Sequence, residues 1–216
     1  MKILRILCKV FYKVKKIISS KHRKEKKGSI DDDISIISCN CIAGLLYHDY
    51  HKKFMSPTIN LYIDSPDFVK FVRKLDYYID KDLVEVKGCK YPIGKLDDVK
   101  IHFLHYKTFE DAKIKWEERK KRINYDKIFV IMSDRDFFSE DLIEEFKKIK
   151  YKKILYSHKK IDIEECVYIK KDKDKKMVDD LTKYINFKGD KVYEYYFDFE
   201  KWFTGKYGVK ECLKND

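Results

Sequence analysis

The run of residues 128–132 constrains the fold of this chain most strongly. It reads Ile-Phe-Val-Ile-Met, with no polar residue between the apolar ones. A strand with one face in water alternates apolar and polar side chains, whereas a strand covered on both faces does not. The run therefore predicts a strand in the middle of a sheet that other elements cover on both faces.

Strands and helices are predicted to alternate along the rest of the chain. Apolar, strand-like runs lie at residues 34–38, 59–63, 99–104, 153–156 and 167–169. Helices are predicted at residues 41–50, 65–78, 109–123, 139–149 and 177–185. This alternation is typical of a largely parallel sheet with helices on both faces, so we expect a three-layer α/β fold. The chain has room for one such domain, which we place at residues 28–216.

Shorter signals refine this outline. Ser65 is predicted to cap the helix that begins there, with Pro66 at its first position. Residues 91–94 read Tyr-Pro-Ile-Gly and are predicted to form a turn, and the charged run 170–176 is predicted to be a solvated loop. The aromatic residues around 193–202 are expected to pack on the body of the domain.

The formal net charge of +12 is concentrated at the N-terminus. Residues 1–27 hold eleven Lys or Arg and one Glu, so the remaining residues carry a net charge of only +2. A groove that binds nucleic acid needs basic residues gathered on the folded body. We therefore predict no nucleic-acid partner. The excess positive charge indicates instead that the N-terminal segment contacts a partner or surface of its own.

Residues 1–27 are predicted to comprise a basic amphipathic helix, at residues 2–18, and a polar hinge. Apolar residues recur in the helix at helical spacing, and its lysines fall mostly on the other side. Lys interrupts the apolar run too often for a bilayer-spanning helix or a cleavable signal peptide. One interpretation is peripheral contact with an anionic membrane. The other is a helix that packs on the body or on a partner protein.

Six cysteines are scattered along the chain, and only Cys39 and Cys41 lie close together in sequence. No Cys-x-x-Cys pair occurs, which argues against a zinc site or a disulfide framework. This cysteine usage predicts a reduced cytoplasmic protein with free thiols, which the N-terminal helix would bring to the inner membrane.

Reactive side chains follow three of the predicted strands, where ligands bind in open α/β sheets. The first cluster is Ser38-Cys39-Asn40-Cys41, at the start of a predicted helix. The positive field of a helix N-terminus lowers the pKa of a thiol, so Cys41 is a candidate nucleophile and Asn40 a candidate oxyanion donor. The alternative is that Cys41 is a small apolar core residue and that Ser38 or Asn40 merely caps the helix.

His105 is the candidate general base. His102 and His105 are three residues apart, so on a strand they face opposite ways, and His105 lies at the strand end. The alternative for His105 is a structural role, stacked on a ring or capping a turn.

The third cluster, Asp134-Arg135-Asp136, follows the strand at residues 128–132. A carboxylate here could orient a histidine or bind a ligand hydroxyl, or it could pair with Arg135 or cap a turn. We take Asp134 as the candidate catalytic carboxylate and Asp136 as a candidate substrate-binding residue.

Arg119 and Arg122 fall on one face of the predicted helix at residues 109–123. They could hold a phosphate or carboxylate of a substrate, or they could be buried ion pairs with core acids. Asn124, at the end of the same segment, and Ser38 complete the candidate substrate-binding residues.

No cofactor and no metal ion is predicted. The glycines are isolated, so the chain has no glycine-rich phosphate loop. His48, Asp49 and His51 could be read as metal ligands, but no further ligand follows at a characteristic spacing.

Together these clusters resemble a bacterial family, domain of unknown function 1919. The resemblance is carried in order by SCNCIAGLLYHDYHKKFMSPTINLYI, DFVKFVRKLDYY, YPIGKLDDVKIHFLHY, AKIKWEERKKRIN and IFVIMSDRD, within residues 34–185. Members are commonly labelled exopolysaccharide or capsule biosynthesis proteins, and a three-layer α/β fold is implied. The family's opening motif resembles Ser-Asn-Asn-Cys, so Cys39 departs from it. A fainter resemblance, to papain-like cysteine peptidases, implies that Cys41 and His105 form a pair.

The resemblance implies a transferase of surface-polysaccharide assembly that acts on a sugar or lipid-linked saccharide at the inner membrane face. In that hypothesis Cys41 attacks or positions the substrate, His105 acts as base and Asp134 orients it. Two alternatives stay open: a papain-like cysteine hydrolase, and a non-catalytic module of a polysaccharide-assembly complex.

Overall fold

The structure, a computed structural model, describes residues 2–22 and 30–214, without the side chains of residues 2–9, 12 and 22. Most of the predicted polar hinge lies outside the described residues. The helices are α1 (Lys2–His22), α2 (Ile42–Asp49), α3 (Ser65–Arg73), α4 (Leu75–Asp80), α5 (Phe109–Lys120), α6 (Asp141–Lys147), α7 (Val192–Tyr195), α8 (Phe199–Phe203) and α9 (Val209–Cys212). The strands are β1 (Ser35–Ser38), β2 (Val84–Glu85), β3 (Ile93–Leu96), β4 (Val99–His102), β5 (Ile128–Ser133), β6 (Lys152–Ser157) and β7 (Cys166–Tyr168).

The larger sheet is parallel and has the strand order β1-β5-β6-β7. Strand β5 pairs with β1 on one side and β6 on the other, and all six of its residues are buried. The prediction of a buried interior strand from the run at residues 128–132 is therefore confirmed. A mixed α/β fold built on a parallel sheet is confirmed with it.

Successive residues of β5 face two different core clusters. Phe129 and Ile131 belong to one cluster, and Val130 and Met132 belong to the other. The first cluster contains side chains of α2 and α8, and the second contains side chains of α3, α5 and α6. The aromatic tail lies in the first cluster, where Trp202 is buried, so its predicted packing on the body is confirmed.

The predicted strand at residues 99–104 does not join the parallel sheet. It forms β4, in a separate antiparallel sheet of order β2-β3-β4. The prediction of a turn at residues 91–94 was wrong, because Ile93 and Gly94 pair with β4. The reversal lies instead at the two residues between Leu96 and Val99, where Asp97 adopts a φ of 53°. Tyr62 makes an isolated bridge to His102 of β4.

The predicted helix at residues 65–78 is divided into α3 and α4. Lys74 leaves helical geometry between them, with φ −122° and ψ 44°. The predicted cap was displaced by one residue, since Asp64 is the N-cap and Ser65 already lies within α3. The Ser65 side chain does not cap the helix, because its hydroxyl donates to the carbonyl of Arg135.

The predicted helix at residues 177–185 was wrong. The backbone N–H groups that a helix would pair with earlier carbonyls donate to carboxylates instead: Val178 to Asp134 Oδ1, Asp179 to Asp172 Oδ2 and Asp180 to Asp179 Oδ1. The solvated loop predicted at residues 170–176 was wrong in part. It contains a 3₁₀ turn, Lys170–Asp172, and Asp172 is buried.

Helix α1 contacts the segment at residues 185–187. Lys15 Nζ donates to the carbonyl of Ile185, and the hydroxyl of Ser19 donates to the carbonyl of Asn186, each at 2.8 Å. The ring of Phe11 meets that of Phe187 edge-on at 6.2 Å. Within the described residues, none of the helices combines the length and apolar character needed to cross a membrane.

Candidate functional site

A thiol and an imidazole lie together beyond the carboxyl end of β1. The sulfur of Cys41 is 3.3 Å from Nε2 of His105 and 4.0 Å from the carbonyl oxygen of Leu61. Cys41 immediately precedes α2, and His105 follows β4 after two residues. The structure thus brings the two predicted residues within hydrogen-bonding distance, although they are 64 positions apart in sequence.

The turn before Cys41 is held by local hydrogen bonds. Oδ1 of Asn40 accepts from the backbone N–H of Ile42 at 3.0 Å and from the hydroxyl of Ser38 at 3.2 Å. These bonds fix the Asn40 amide at the first turn of α2. Within the described residues its Nδ2 has no hydrogen-bond partner, so this N–H group is available to a ligand. Ser38 therefore supports Asn40 rather than facing the cavity itself.

The loop that carries His105 is held by its neighbour Tyr106. The hydroxyl of Tyr106 donates to the carbonyl of Ile59 at 3.2 Å and accepts from Nη1 of Arg119 at 2.7 Å. The guanidinium of Arg119 also lies 5.1 Å from the ring centre of Phe54. Arg119 is buried and positions the loops around the site, and the structure does not place it among the cavity-lining residues.

A cavity of about 830 Å³ opens at the Cys41–His105 pair. It lies beyond the carboxyl ends of β1 and β5, neighbours in the parallel sheet, which is the position expected for a ligand site in this fold. The loop that follows β4 adds to its wall. Amide, hydroxyl, carboxylate, guanidinium and apolar groups all contribute to its wall: Asn40, Cys41, Gly44, Leu45, His48, Phe54, Asn60, Tyr62, Leu104, His105, Arg135, Asp136, Asp180, Leu181 and Thr182. A ligand in this cavity would contact the thiol and the imidazole together.

The Cys41 thiol is not acidified. Burial raises its pKa first, and the carboxylate of Asp180 raises it further. The start of α2 was expected to lower this pKa, whereas burial and the Asp180 carboxylate raise it. The raised pKa disfavours the thiolate, and Nε2 of His105 is the neighbouring group placed to accept the thiol proton.

Asp134 is not brought to this pair. Its Oδ2 accepts from the hydroxyl of Ser157 and the backbone N–H of His158, and it contacts Nδ1 of the same His158. Its Oδ1 accepts from the backbone N–H of Val178 at 2.8 Å. Both oxygens are thus engaged in joining β5, β6 and the segment at residues 178–182. Within the described residues, no side chain bonds Nδ1 of His105.

Arg122 and Asn124 also lie away from the cavity. Nη1 of Arg122 donates to the carbonyl of Phe54 at 3.2 Å, and its other terminal nitrogen pairs with Glu118. Nδ2 of Asn124 donates to Asp33 at 3.0 Å, near the amino end of β1. The structure therefore gives these two residues contacts that hold the chain together rather than contacts with the cavity.

Asp136 lines the cavity, and Arg135 lines it beside Asp136. Asp136 and Phe137 both adopt positive φ, at 51° and 67°. Two such residues in a row are unusual without glycine. Ser65 holds this turn, because its backbone N–H donates to the carbonyl of Asp136 and its hydroxyl to that of Arg135.

Cys39 and His102 have structural surroundings. Cys39 is buried beside the hydroxyl of Ser133, and burial raises its thiol pKa to about 11. The ring of His102 stacks on Tyr62 at 4.2 Å, and burial lowers its pKa. The choice of Cys41 over Cys39 and of His105 over His102 as the candidate pair agrees with this geometry.

Sequence reasoning missed Asp180 and Thr182. The carboxylate of Asp180 accepts from the backbone N–H and the hydroxyl of Thr182, as in the turns that Asp forms with a residue two positions later. The Asp-x-Thr spacing is typical of such a turn and could have identified it. It was overlooked because the segment was predicted to be a helix. In the part of the chain that is described, no group of three or more His, Cys, Asp or Glu could hold a metal ion.

Two comparisons with known proteins each gave a match. The model of a family described as a domain of unknown function, DUF1919, matches residues 12–204. An uncharacterized protein of Haemophilus influenzae is 33% identical over 202 residues, which cover 90% of this chain and 98% of that protein. The span that the family model matches contains Cys41, His105 and every other cavity-lining residue. This chain therefore belongs to the domain of unknown function 1919 family.

Proposed function

We propose that this protein is a group-transfer enzyme that carries the transferred group on Cys41, with His105 as the general base. The supporting observation is the 3.3 Å distance between the sulfur and Nε2 at the wall of an 830 Å³ cavity. A nucleophile and a base within hydrogen-bonding distance are the minimum that covalent catalysis requires. The neighbouring Asn40 amide adds a donor for developing negative charge.

Transfer of an acyl group is the reaction that this arrangement supports best. Cys41 attacks the acyl carbonyl carbon while its proton passes to Nε2 of His105, and the Asn40 amide donates to the oxyanion. The leaving group departs with that proton, which leaves a thioester on Cys41. The O–H or N–H group of an acceptor then attacks the thioester and gives its proton to His105, which returns it to the departing thiolate.

We further propose that the substrate is a sugar or lipid-linked saccharide of surface-polysaccharide assembly. The resemblance described in the sequence analysis implies such a substrate, and the mixed wall of the cavity suits a sugar. The carboxylates of Asp136 and Asp180 and the amide of Asn60 can accept from or donate to hydroxyl groups, while Phe54 and Tyr62 offer ring surfaces. The acceptor in this proposal is a sugar hydroxyl or amine.

A cysteine hydrolase is the second candidate, and the same pair of side chains favours it. In a hydrolase, water takes the place of the acceptor and the acyl group is released. Because the cavity is open to solvent at His105, which is exposed, the geometry accommodates either acceptor. Release of free acid without an added acceptor would indicate the hydrolase. A non-catalytic assembly module would instead retain function without Cys41 or His105.

The proposed location is the inner face of the membrane, reached through α1. Four apolar side chains of α1 are 46–61% exposed, so the body of the protein does not cover them: Val10, Phe11, Val14 and Ile17. Lysines flank these side chains, as in helices that lie on anionic membranes. The three-layer arrangement is likewise a proposal, which the two core clusters on either side of β5 support.

The experiment that tests this function compares Cys41→Ala with a matched control, Cys89→Ala, in a strain that lacks the natural protein. Both substitutions remove a thiol, but Cys89 is exposed and lies outside the cavity. We expect Cys41→Ala to abolish surface-polysaccharide output and Cys89→Ala to preserve it. Full output from Cys41→Ala, with protein levels unchanged, would contradict covalent catalysis.

A further inference from the structure

We propose that Asp180 makes the cavity selective for a substrate that carries a positively charged group, such as a primary ammonium, next to Cys41. This inference rests on the proposed function, since it concerns the acceptor or donor that binds beside the nucleophile. It specifies a class of substrate, such as an amino sugar or another amine, rather than a neutral saccharide.

The Asp180 carboxylate is held in place by the chain around it. Its Oδ1 accepts from the backbone N–H of Thr182 at 2.9 Å and from the hydroxyl of the same residue at 2.6 Å. The segment itself is anchored where Val178 donates to the buried carboxylate of Asp134. A carboxylate with a fixed orientation loses little freedom when a ligand binds, which favours selectivity.

The second oxygen of Asp180 is open to a ligand. Among the described residues, Oδ2 accepts no hydrogen bond, and no Lys, Arg or His nitrogen lies within ion-pair distance of it. Asp180 lines the same cavity as Cys41 and His105. A cationic group bound near the thiol would therefore find a carboxylate oxygen that the protein leaves without a partner.

The charges of the cavity wall leave Asp180 uncompensated. Besides the imidazoles of His48 and His105, the wall contains one guanidinium and two carboxylates, and Arg135 lies 4.0 Å from Asp136. The charges of Arg135 and Asp136 largely cancel at the position of a ligand. The carboxylate of Asp180 is then the acidic group without a counter-charge. The direction of the Cys41 pKa shift agrees, because the carboxylate of Asp180 opposes formation of a second negative charge there.

The apolar part of the wall strengthens this field. Leu45, Leu104 and Leu181 line the cavity together with Asp180. Because apolar walls reduce the local dielectric constant, a single charge acts there more strongly than on an open surface. The site should therefore attract a cationic ligand and repel an anionic one of the same size.

Two thiol reagents of opposite charge test the inference in the reduced full-length protein. They are 2-(trimethylammonium)ethyl methanethiosulfonate and 2-sulfonatoethyl methanethiosulfonate. In each case the thiolate of Cys41 attacks the sulfenyl sulfur, a disulfide forms and methanesulfinate leaves. Peptide mass spectrometry gives both rates at Cys41, and their ratio is divided by the ratio measured with 2-mercaptoethanol. The thiolate fraction cancels in this ratio.

We expect the normalised ratio at Cys41 to favour the cationic reagent by about tenfold. Asp180→Asn should reduce the preference to about twofold or less, whereas Asp180→Glu should retain most of it. Asp174→Asn is the matched control, since it removes the same charge from an exposed position outside the cavity. It should leave the ratio unchanged. Thermal unfolding of each variant confirms that it is folded.

An anionic preference, no preference, or the same ratio in Asp180→Asn as in the wild-type protein would overturn the inference. These outcomes are distinguishable from failure of the proposed function, because the reagents require no turnover. If Cys41→Ala retains full polysaccharide output, the covalent mechanism fails while the charge preference can still stand. If Cys41→Ala is inactive but the preference is absent, only the inference fails.

Discussion

At the scale of single residues, opposing effects determine the reactivity of Cys41. His105 lies close enough to accept the thiol proton, whereas burial and Asp180 keep the thiol pKa above its usual value. In the proposed mechanism, activation of the thiol therefore depends on proton transfer at the moment of attack. A permanently ionised pair would need surroundings that stabilise the thiolate, and the described surroundings of Cys41 do the reverse.

Replacing Asp180 tests this balance. In Asp180→Asn the negative charge that opposes the thiolate is gone, so the pKa of Cys41 falls. Alkylation of Cys41 by the uncharged reagent iodoacetamide should therefore rise at lower pH than in the wild-type protein. The measurement is the rate at Cys41 as a function of pH, with Cys89 in the same samples as reference. A profile that is unchanged or shifted to higher pH would show that Asp180 does not influence the thiol.

Replacing Tyr106 tests how His105 is held. Tyr106→Phe removes the hydroxyl that links Arg119 to the carbonyl of Ile59, and it leaves the buried guanidinium short of an acceptor. We expect a loss of about 1–3 kcal/mol in the free energy of unfolding, measured in urea. The same variant should slow alkylation of Cys41, because the loop that carries His105 loses its anchor. Tyr207→Phe, an exposed tyrosine elsewhere, is the control for loss of a hydroxyl.

At the scale of structural elements, Asp134 joins three parts of the chain. Asp134→Asn keeps the shape of the side chain but replaces one acceptor oxygen with an NH2 donor, so the buried N–H of His158 or that of Val178 loses its acceptor. We expect a loss of about 2–4 kcal/mol in the free energy of unfolding, with Asp174→Asn close to the wild type. Equal urea midpoints for the two variants would show that Asp134 is not the link that the contacts indicate.

The elements that could be predicted are those with a local signal. Strands β1, β5, β6 and β7 follow from apolar runs, and α2 and α5 from the segments between them, because burial selects the same residue types wherever such elements pack. The antiparallel sheet could not be separated from the parallel one, since periodicity in β4 does not reveal its partner. The segment at residues 178–182 was misassigned because several of its N–H groups pair with side-chain carboxylates instead of helical carbonyls. One of these carboxylates, that of Asp134, lies 44 positions away.

The site was predictable to the same extent. Cys41 and His105 were both identified by the rule that ligands bind beyond strand ends, although their strands, β1 and β4, belong to different sheets. The assignment of Asp134 to this pair followed the same rule. Its carboxylate instead accepts hydrogen bonds from Ser157 of β6 and from Val178. The sequence can thus predict which residues lie at the end of a strand. It cannot predict which way each side chain points, because that depends on hydrogen-bond partners from distant parts of the chain.

At the scale of the whole molecule, the proposal predicts that α1 brings the protein to a membrane. Phe11→Asp combined with Val14→Asp places two charges on the exposed apolar side chains, so binding to vesicles of anionic phospholipid should fall at least tenfold. The measurement is co-sedimentation of the full-length protein with vesicles. Val84→Asp, at an exposed apolar position on β2, should bind as the wild type does. Equal sedimentation of both variants would favour a protein partner for α1.

The most direct measurement of the central claim is the rate at which iodoacetamide alkylates Cys41 near neutral pH in the wild-type protein and in His105→Asn. If His105 accepts the thiol proton, the substitution should lower the rate at Cys41 at least tenfold and leave the rate at Cys89 unchanged. Equal rates at Cys41 in the two folded proteins would show that the 3.3 Å contact has no chemical consequence, and the proposed mechanism would fall.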